Sequence, residues 1–333
     1  MTPQWWLRRG GRVLALLFCS AVLLTACSTA SPTASPTHIP ARPSQTPAPS
    51  AIPTRQSEPT ASPTGTPSAT PSPTGVPPTA TPTPTPIPPT PTLACTETQG
   101  RMEIGTFYSA IIGQEQPYRV YLPPCYDFNA DRYPVLYMLH GYPFDDTHWD
   151  EIGIDEAADA GIANGSLPPF VIAMPSADNE GTYTQTSGGP GSFEAVLLDE
   201  FLPFVEATYR VADDAQGRAI GGMSRGGVWS LEIAFRNPDL FSAVGGHSVA
   251  LSVNRAPPIY DPLYLAADPA ILTLRIYLDM GEGDRFYSGM EELPAALRAA
   301  EVPHDYNVYE GGHTDSYWSA HVEEYLAFYA ADW

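Results

Sequence analysis

The stretch R-A-I-G-G-M-S-R-G-G, from Arg218 to Gly227, predicts a strand, a sharp turn and a helix in direct succession. An apolar strand ends just before its first glycine, and Val228 to Phe235 has the apolar spacing of a buried helix. The turn between them is a G-x-S-x-G pentapeptide centred on Ser224, whose glycines let the strand and the helix approach closely. Such a turn holds a serine hydroxyl out of the sheet, beside the N–H groups of the helix N-terminus. Ser224 is therefore a candidate nucleophile, although a tight glycine turn that merely contains a serine has the same pattern.

Apolar patterns on both sides of this stretch predict alternating strands and helices. Besides the strand before Ser224, strands are predicted at 101–109, 118–122, 134–140, 170–174, 243–246, 274–280 and 306–309. Further helices are predicted at 154–163, 193–209, 290–300 and 316–330. This alternation predicts an α/β fold, with a mostly parallel central sheet and helices on both faces. In such folds the chemistry lies at the carboxyl ends of the strands.

One histidine stands at such a strand end. His313 closes the segment E-G-G-H, which follows the last predicted strand and precedes the last predicted helix. A glycine turn at this edge disfavours a role in the core and favours a general base for the serine. The other histidines, including His140, His148 and His247, are assigned structural roles.

Three acids in one loop are candidates to orient His313. The segment Y-L-D-M-G-E-G-D ends a strand in a glycine-rich loop and carries Asp279, Glu282 and Asp284. Asp279 lies inside the apolar run, so its side chain is expected to point into a covered face or the core. Glu282 and Asp284 both follow the glycine, where the carboxyl ends of the strands open, and the residues alone leave both of them possible.

A second glycine turn, H-G-Y-P, follows the predicted buried strand 134–140. A glycine at this place lets a backbone N–H point into the site as an oxyanion hole requires, although an ordinary strand-ending turn would read the same. We predict that the N–H groups of Tyr142 and Arg225 are the oxyanion donors. Four aromatic side chains are candidates to line an acyl or sugar pocket, and each could equally be packing: Tyr142, Phe144, Trp149 and Tyr183.

The chain order of serine, acid and histidine is that of α/β-hydrolases, and several motifs resemble the esterase D family. Between Tyr118 and Trp333 these are Y-R-V-Y-L-P-P, L-H-G followed by W, the G-x-S-x-G-G turn, L-D-M-G-E-G-D and G-G-H. The family includes feruloyl and acetylxylan esterases, S-formylglutathione hydrolases, enterochelin esterases and mycolyltransferases. The resemblance implies a serine esterase that forms an acyl-enzyme. It places the triad acid at the end of G-x-x-D, which is Asp284 here.

The first 92 residues predict export. Residues 1–27 carry three arginines, a short apolar core and L-T-A-C, which resembles the lipobox of bacterial lipoproteins. That resemblance makes Cys27 a lipidated N-terminus, and a plain secretory signal cut nearby is the alternative. Residues 28–92 hold 20 of the 38 prolines in S-P-T and P-T-P repeats, which predicts an extended, disordered stalk. Residues 93–333 are the predicted esterase domain.

The predicted domain is strongly acidic, with 36 Asp and Glu against 11 arginines and a formal charge of −25. Such a surface repels phosphate backbones and anionic lipids, which argues against nucleic acid as a partner and against polyanions as substrates. A neutral small-molecule or polysaccharide ester fits better, and membrane contact is expected only through the lipid anchor. No cofactor or metal is predicted, because C-x-x-C is absent and H-V-E-E-Y at 321–325 departs from H-E-x-x-H.

Two cysteines, Cys95 and Cys125, remain in the domain, and outside the cytoplasm such a pair tends to form a disulfide. Two buried thiols are the alternative. Two other functions also stay open at this stage: acyl transfer to a sugar alcohol, as in mycolyltransferases, and a non-catalytic cell-surface binding module on a hydrolase scaffold. The complete set of serine, acid and histidine argues against the binding module.

Overall fold

A single eight-stranded sheet is the centre of the structure, a computed structural model that describes residues 95–177 and 188–333. The strands are β1 (Arg101–Ser109), β2 (Gln114–Leu122), β3 (Val135–Leu139), β4 (Val171–Pro175), β5 (Arg218–Met223), β6 (Ala243–His247), β7 (Arg275–Gly281) and β8 (Asp305–Tyr309). Their order is β1-β2-β4-β3-β5-β6-β7-β8. The predicted signal, stalk and Cys27 lie outside the described residues, so these stay predictions.

The sheet is parallel from β4 to β8, and only β1 and β2 run against their neighbours. The predicted mostly parallel α/β fold is therefore confirmed. A parallel arrangement brings the carboxyl ends of β3, β5, β7 and β8 to one edge of the sheet. The loops that follow these four strands carry the candidate nucleophile, acid and base and the predicted oxyanion turn.

Helices cover both faces of the sheet. They are α1 (His148–Glu151), α2 (Ile154–Asn164), α3 (Phe193–Ala195), α4 (Leu202–Thr208), α5 (Arg225–Arg236), α6 (Pro262–Leu265), α7 (Tyr287–Met290), α8 (Glu292–Ala299) and α9 (Asp315–Tyr329). Side chains alternate along β3: Val135, Tyr137 and Leu139 belong to one apolar cluster, and Leu136 and Met138 belong to the cluster on the opposite face. None of the helices in the described part of the chain combines the length and the apolar character needed to cross a membrane.

Two predicted helices are interrupted, and a proline lies at each interruption. The helix predicted at 193–209 passes through a π-helical segment, Val196–Phe201, which is followed directly by α4 with Pro203 in its first turn. The helix predicted at 290–300 is divided between α7 and α8, and Pro294 lies in the first turn of α8. Proline has no N–H to donate to the preceding turn, so it is accommodated where a helix begins.

The predicted disulfide is confirmed: Cys95 and Cys125 are bonded and tie the segment before β1 to the end of β2. We expect replacement of both cysteines by serine to lower the free energy of unfolding by about 3–4 kcal/mol, because the bridge restricts the unfolded chain. Urea unfolding with and without a reductant measures this effect. Reduction should destabilise the wild type by a similar amount and leave the double variant unchanged, and equal stability of all samples would contradict the prediction.

Candidate active site

Ser224 occupies the turn between β5 and α5 in a backbone conformation that few non-glycine residues adopt, with φ 55° and ψ −116°. Its N–H donates to the carbonyl of His247, at a distance of 2.8 Å, and its own carbonyl accepts the N–H of Ala250, at 3.2 Å. Both partners lie on or after the neighbouring strand β6. These bonds hold the strained turn from outside, so the hydroxyl keeps one position at the strand end.

Close backbone contacts leave no room for a Cβ atom at the glycines around Ser224. A Cβ on Gly222 would lie 2.5 Å from the backbone of Gly226, and a Cβ on Gly226 would overlap the carbonyl oxygen of Leu139. Both separations are shorter than a side chain tolerates. The pattern G-x-S-x-G therefore follows from the close approach of β5, α5 and β3.

Three of the side chains predicted from the sequence form one hydrogen-bonded chain. His313 Nε2 lies 2.8 Å from Ser224 Oγ, and His313 Nδ1 lies 2.9 Å from Asp284 Oδ2. A carboxylate only accepts, so Nδ1 donates to Asp284 and Nε2 is left to accept the serine hydroxyl. Ser224 and Asp284 are 7% and 5% exposed, which keeps most water from these bonds.

Two glycine loops fix the positions of Asp284 and His313. The loop after β7 and the loop after β8 are joined by backbone bonds, from Gly283 N–H to the Gly311 carbonyl and from Glu282 N–H to the Tyr309 carbonyl, both 2.8 Å long. The second oxygen of Asp284 accepts the N–H of Phe286 at 2.8 Å. Asp284 is thereby oriented by its own loop, whereas the Glu282 side chain is exposed.

The third candidate acid, Asp279, belongs to a separate buried network. Its carboxylate accepts from His247 Nδ1 at 2.7 Å, from the hydroxyl of Tyr317 at 2.7 Å and from the hydroxyl of Tyr325 at 2.8 Å. Burial and the nearby Asp279 charge raise the pKa of both tyrosines far above the usual range, so they remain O–H donors. Asp279 thus reaches a histidine, but that histidine is on the neighbouring strand β6 and is not His313.

The predicted oxyanion turn lies against the serine. A Cβ on Gly141 would be 3.1 Å from Ser224 Cβ. The carbonyl of Gly141 accepts from His140 Nδ1 at 3.0 Å and from the N–H of Phe144 at 2.9 Å. The Gly141–Tyr142 peptide bond is trans, so the N–H of Tyr142 points in the opposite direction to this anchored carbonyl. His140 therefore sets the direction of the predicted oxyanion donor.

Hydrogen bonds to the two ring nitrogens of His140 fix its tautomer. Nδ1 faces a carbonyl and must donate, while Nε2 accepts the N–H of Ala177 at 3.0 Å. Burial lowers the pKa of His140 to about 4, so the ring is neutral at pH 7. The sequence assigned His140 a structural role, and in the structure the ring bonds to the carbonyl of Gly141 in the predicted oxyanion turn.

Buried His140 makes the stability of the domain depend on pH. Its pKa is about 4 in the folded protein, against 6.5 for an ordinary histidine, so unfolding takes up a proton between these values. The free energy of unfolding should therefore fall as pH falls through this window, by about 3 kcal/mol in total. Urea unfolding of the wild type and of His140→Gln, at a pH near each of the two pKa values, measures this loss of stability. The wild type should lose more stability than the variant, and equal losses would contradict the expectation.

A cavity of about 320 Å³ opens beside the serine hydroxyl. It is lined by Tyr142, Ser224, Arg225, Ala250, Val253, Asn254, Arg285 and Phe286. Phe286 also packs its ring edge-on to His313, with centroids 4.8 Å apart, and Trp318 does so from another side at 5.0 Å. These two rings hold the imidazole between the serine and the acid. The sequence prediction missed Arg285 and Phe286, although both directly follow Asp284 in its loop.

The four aromatic candidates for the pocket have different positions. Tyr142 lines the cavity, as predicted. Phe144 is outside the lining and stacks on His148 with ring centroids 3.7 Å apart. Trp149 is 1% exposed in the core, where its indole N–H donates to the carbonyl of Leu139, so the interpretation of Trp149 as substrate-binding is corrected. Tyr183 lies outside the described residues.

A family model described as "Esterase: Putative esterase" matches residues 109–329, about two thirds of the chain. The chain belongs to this family. The match runs from the end of β1 to the end of α9, so it includes every strand end that contributes to the site. The esterase family implied by the sequence motifs is thereby confirmed.

Individual relatives agree with this assignment. An endo-1,4-beta-xylanase/feruloyl esterase of Xylanibacter ruminicola is 32% identical over 160 residues, which cover 44% of this chain and 21% of the relative. Esterase Rv1288 of Mycobacterium tuberculosis is 25% identical over 264 residues, covering 65% of this chain and 56% of the relative. The chain thus spans about a fifth and just over half of the lengths of these curated relatives.

Solved structures match over nearly their whole length. A structure described as a ferulic acid esterase has a TM-score of 0.64 and 27% identity, covering 71% of this chain and 99% of its own. An S-formylglutathione hydrolase from Staphylococcus aureus has a TM-score of 0.60 and 19% identity, covering 69% and 99%. This second likeness concerns the fold alone. The α/β-hydrolase fold predicted from the sequence is confirmed.

Proposed function

We propose that the protein hydrolyses carboxylic esters through an acyl-enzyme on Ser224. The observation that carries the proposal is the hydrogen-bonded chain from Ser224 through His313 to Asp284, which ends at a cavity beside the serine hydroxyl. Membership in the esterase family supports it. Neither alternative, acyl transfer to a sugar or a non-catalytic binding module, is favoured by a separate observation.

The mechanism follows from the bonds of His313. Ser224 Oγ attacks the ester carbonyl while His313 Nε2 takes its proton, and the same nitrogen returns the proton to the leaving alcohol. Asp284 keeps the Nδ1 proton in place and stabilises the imidazolium that forms. A water molecule, activated by the same histidine, then releases the acid and restores the serine.

When Ser224 attacks, negative charge develops on the carbonyl oxygen of the ester. Two N–H donors beside the serine are proposed to stabilise it. The first donor is the N–H of Arg225, the first residue of α5. The second is the N–H of Tyr142, whose direction is set by the Gly141 carbonyl that His140 holds in place. In serine hydrolases a single donor of this kind is worth about 2.7–4 kcal/mol in the transition state. The oxyanion assignment of Tyr142 and Arg225 is part of this proposal.

We further propose an acetyl or feruloyl ester carried on carbohydrate as the substrate class. The names of the feruloyl esterase relatives support an aromatic acyl group, and the cavity beside Ser224 is large enough for a small acyl group. A panel of p-nitrophenyl acetate, methyl ferulate and acetylated xylan tests it, with and without a methyl glycoside as acceptor. Release of free acid is expected. Acyl glycoside as the main product would instead identify a transferase, and no turnover of any ester would refute ester hydrolysis.

The proposed location is outside the cytoplasm, on a lipid anchor at Cys27 with residues 28–92 as a stalk. The disulfide between Cys95 and Cys125 supports an oxidising compartment. The L-T-A-C sequence supports lipidation. Expression of the full chain in a bacterium fed labelled palmitate tests the anchor, and Cys27→Ser should abolish the labelling. Labelling that persists in this variant would contradict it.

A further inference from the structure

The lining of the cavity beside Ser224 carries arginines, although the domain around it is strongly acidic. Two of its eight lining residues are arginines, Arg225 and Arg285, and none of the described residues that line it is acidic. The domain contains only 11 arginines against 36 acids. Low-dielectric walls concentrate the field of charges in a cleft, so the cavity attracts an anionic group that the rest of the surface repels.

The two arginines are held differently. Arg225 is fixed by a hydrogen bond from Nη1 to Asn254 Oδ1, and its guanidinium lies 5.4 Å from the ring centre of Trp229. Arg285 is exposed, and its guanidinium lies 4.9 Å from the ring centre of Phe286. No carboxylate in residues 95–177 or 188–333 forms a salt bridge with Arg285. Its donors can therefore bind a ligand without first breaking an ion pair to the described protein.

The neighbours of Arg285 indicate which part of an ester it faces. The Phe286 ring packs perpendicular to the His313 ring, and Asp284 bonds to the same imidazole. His313 Nε2 is the atom that delivers a proton to the leaving alcohol in the proposed mechanism. The segment from Asp284 to Phe286 thus lies next to His313, where the proposed mechanism places the alcohol part of the substrate.

We propose that Arg285 binds a carboxylate on the alcohol part of the ester, so that the preferred alcohol is a hydroxy acid or an acidic sugar. This inference rests on the proposed ester hydrolysis and deepens it. The planar guanidinium suits a carboxylate because it can donate two parallel hydrogen bonds. The charge of the whole domain predicted a neutral ester, and this inference departs from that prediction: the acyl group is uncharged, but the alcohol carries one anionic group.

A pair of matched esters tests the inference. 4-Acetoxybenzoate and its methyl ester differ only in the carboxylate on the leaving alcohol, and kcat/KM is measured for each with the wild type, Arg285→Gln and Arg285→Lys. The intrinsic reactivity of each ester cancels when the charged-to-neutral ratio of the variant is divided by that of the wild type. We expect the charged-to-neutral ratio of kcat/KM to be about tenfold lower in Arg285→Gln than in the wild type, as for loss of a charge-assisted hydrogen bond. In Arg285→Lys the ratio should fall less.

Arg298→Gln is the matched control. Arg298 is exposed on α8 and does not line the cavity, so this variant changes the net charge equally and should keep the wild-type ratio. Raising the salt concentration from about 0.05 M to about 0.5 M should lower the wild-type ratio more than that of Arg285→Gln. The same ratio in the wild type, Arg285→Gln and Arg298→Gln would overturn the inference while leaving ester hydrolysis intact. If the wild type hydrolyses neither of these two esters but turns over an ester of the panel above, the inference is overturned and ester hydrolysis stands. No turnover of any ester refutes both.

Discussion

Replacement of Ser224 by alanine is expected to lower kcat for any ester substrate by about 10⁶-fold, as in serine hydrolases whose nucleophile is removed. The variant keeps His313, Asp284 and both proposed oxyanion donors, so substrate can still bind. It has no oxygen to form the acyl-enzyme, and hydrolysis must then proceed by direct attack of water. The change removes one atom from a side chain at a strand end, so the fold should persist.

The measurement combines kinetics with covalent labelling. A fluorophosphonate probe should modify the wild type once, on the tryptic peptide that contains Ser224, and should not modify Ser224→Ala. Ser248→Ala is a suitable control because Ser248 is also a buried serine with positive φ at the end of the next strand, and it does not line the cavity. Near-full activity of Ser224→Ala, or loss of labelling in Ser248→Ala alone, would contradict the assignment.

The parts of the site that the sequence could predict are those fixed by local structure. The strand, turn and helix around Ser224 follow from glycines that are adjacent in the chain and from apolar spacing on either side. His313 and Asp284 each follow a predicted strand, and parallel strands end at one edge. Convergence of the serine, the histidine and the acidic loop therefore needed no knowledge of side-chain packing, whereas the choice of Asp284 over Glu282 came from the family resemblance.

The buried network around Asp279 could not be predicted in the same way. His247 faces Asp279 only because β6 and β7 pair in one particular register, which period-two patterns in two buried strands do not determine. Tyr317 and Tyr325 reach the carboxylate because one face of α9 packs on the sheet, a tertiary contact. One signal was available: the last helix carries tyrosines at positions that share a face, and buried tyrosine hydroxyls need polar partners.

Trp149 is the opposite case, in which the sequence suggested a functional role that the structure does not support. Its position shortly after the predicted oxyanion turn was compatible with a pocket or with the core, and the structure places it in the core. The indole N–H has a backbone partner at Leu139, which removes the usual cost of burying it. A large aromatic residue near a candidate site is thus weak evidence for substrate binding until its burial is known.

Asp284→Asn is expected to lower kcat by about 10⁴-fold with little change in stability. An amide at this position can donate to His313 Nδ1, which moves the ring proton to Nε2. Nε2 then cannot accept the proton of Ser224, although the geometry is preserved. Glu282→Gln is the control in the same loop, since that side chain is exposed, and its kcat should stay within about twofold of the wild type.

Asp279→Asn should give the reverse result, because its carboxylate is buried and bonds to His247, Tyr317 and Tyr325 rather than to His313. An amide cannot accept from all three donors, so a buried polar group loses its partner and stability should fall by about 3 kcal/mol. The kcat per folded molecule should stay within about tenfold of the wild type, since His313 keeps its own acid. Activity and urea unfolding measured on both variants therefore separate the two carboxylates. Near-full activity in Asp284→Asn together with an inactive but folded Asp279→Asn would move the acid role to Asp279, and the roles of Ser224 and His313 would still stand.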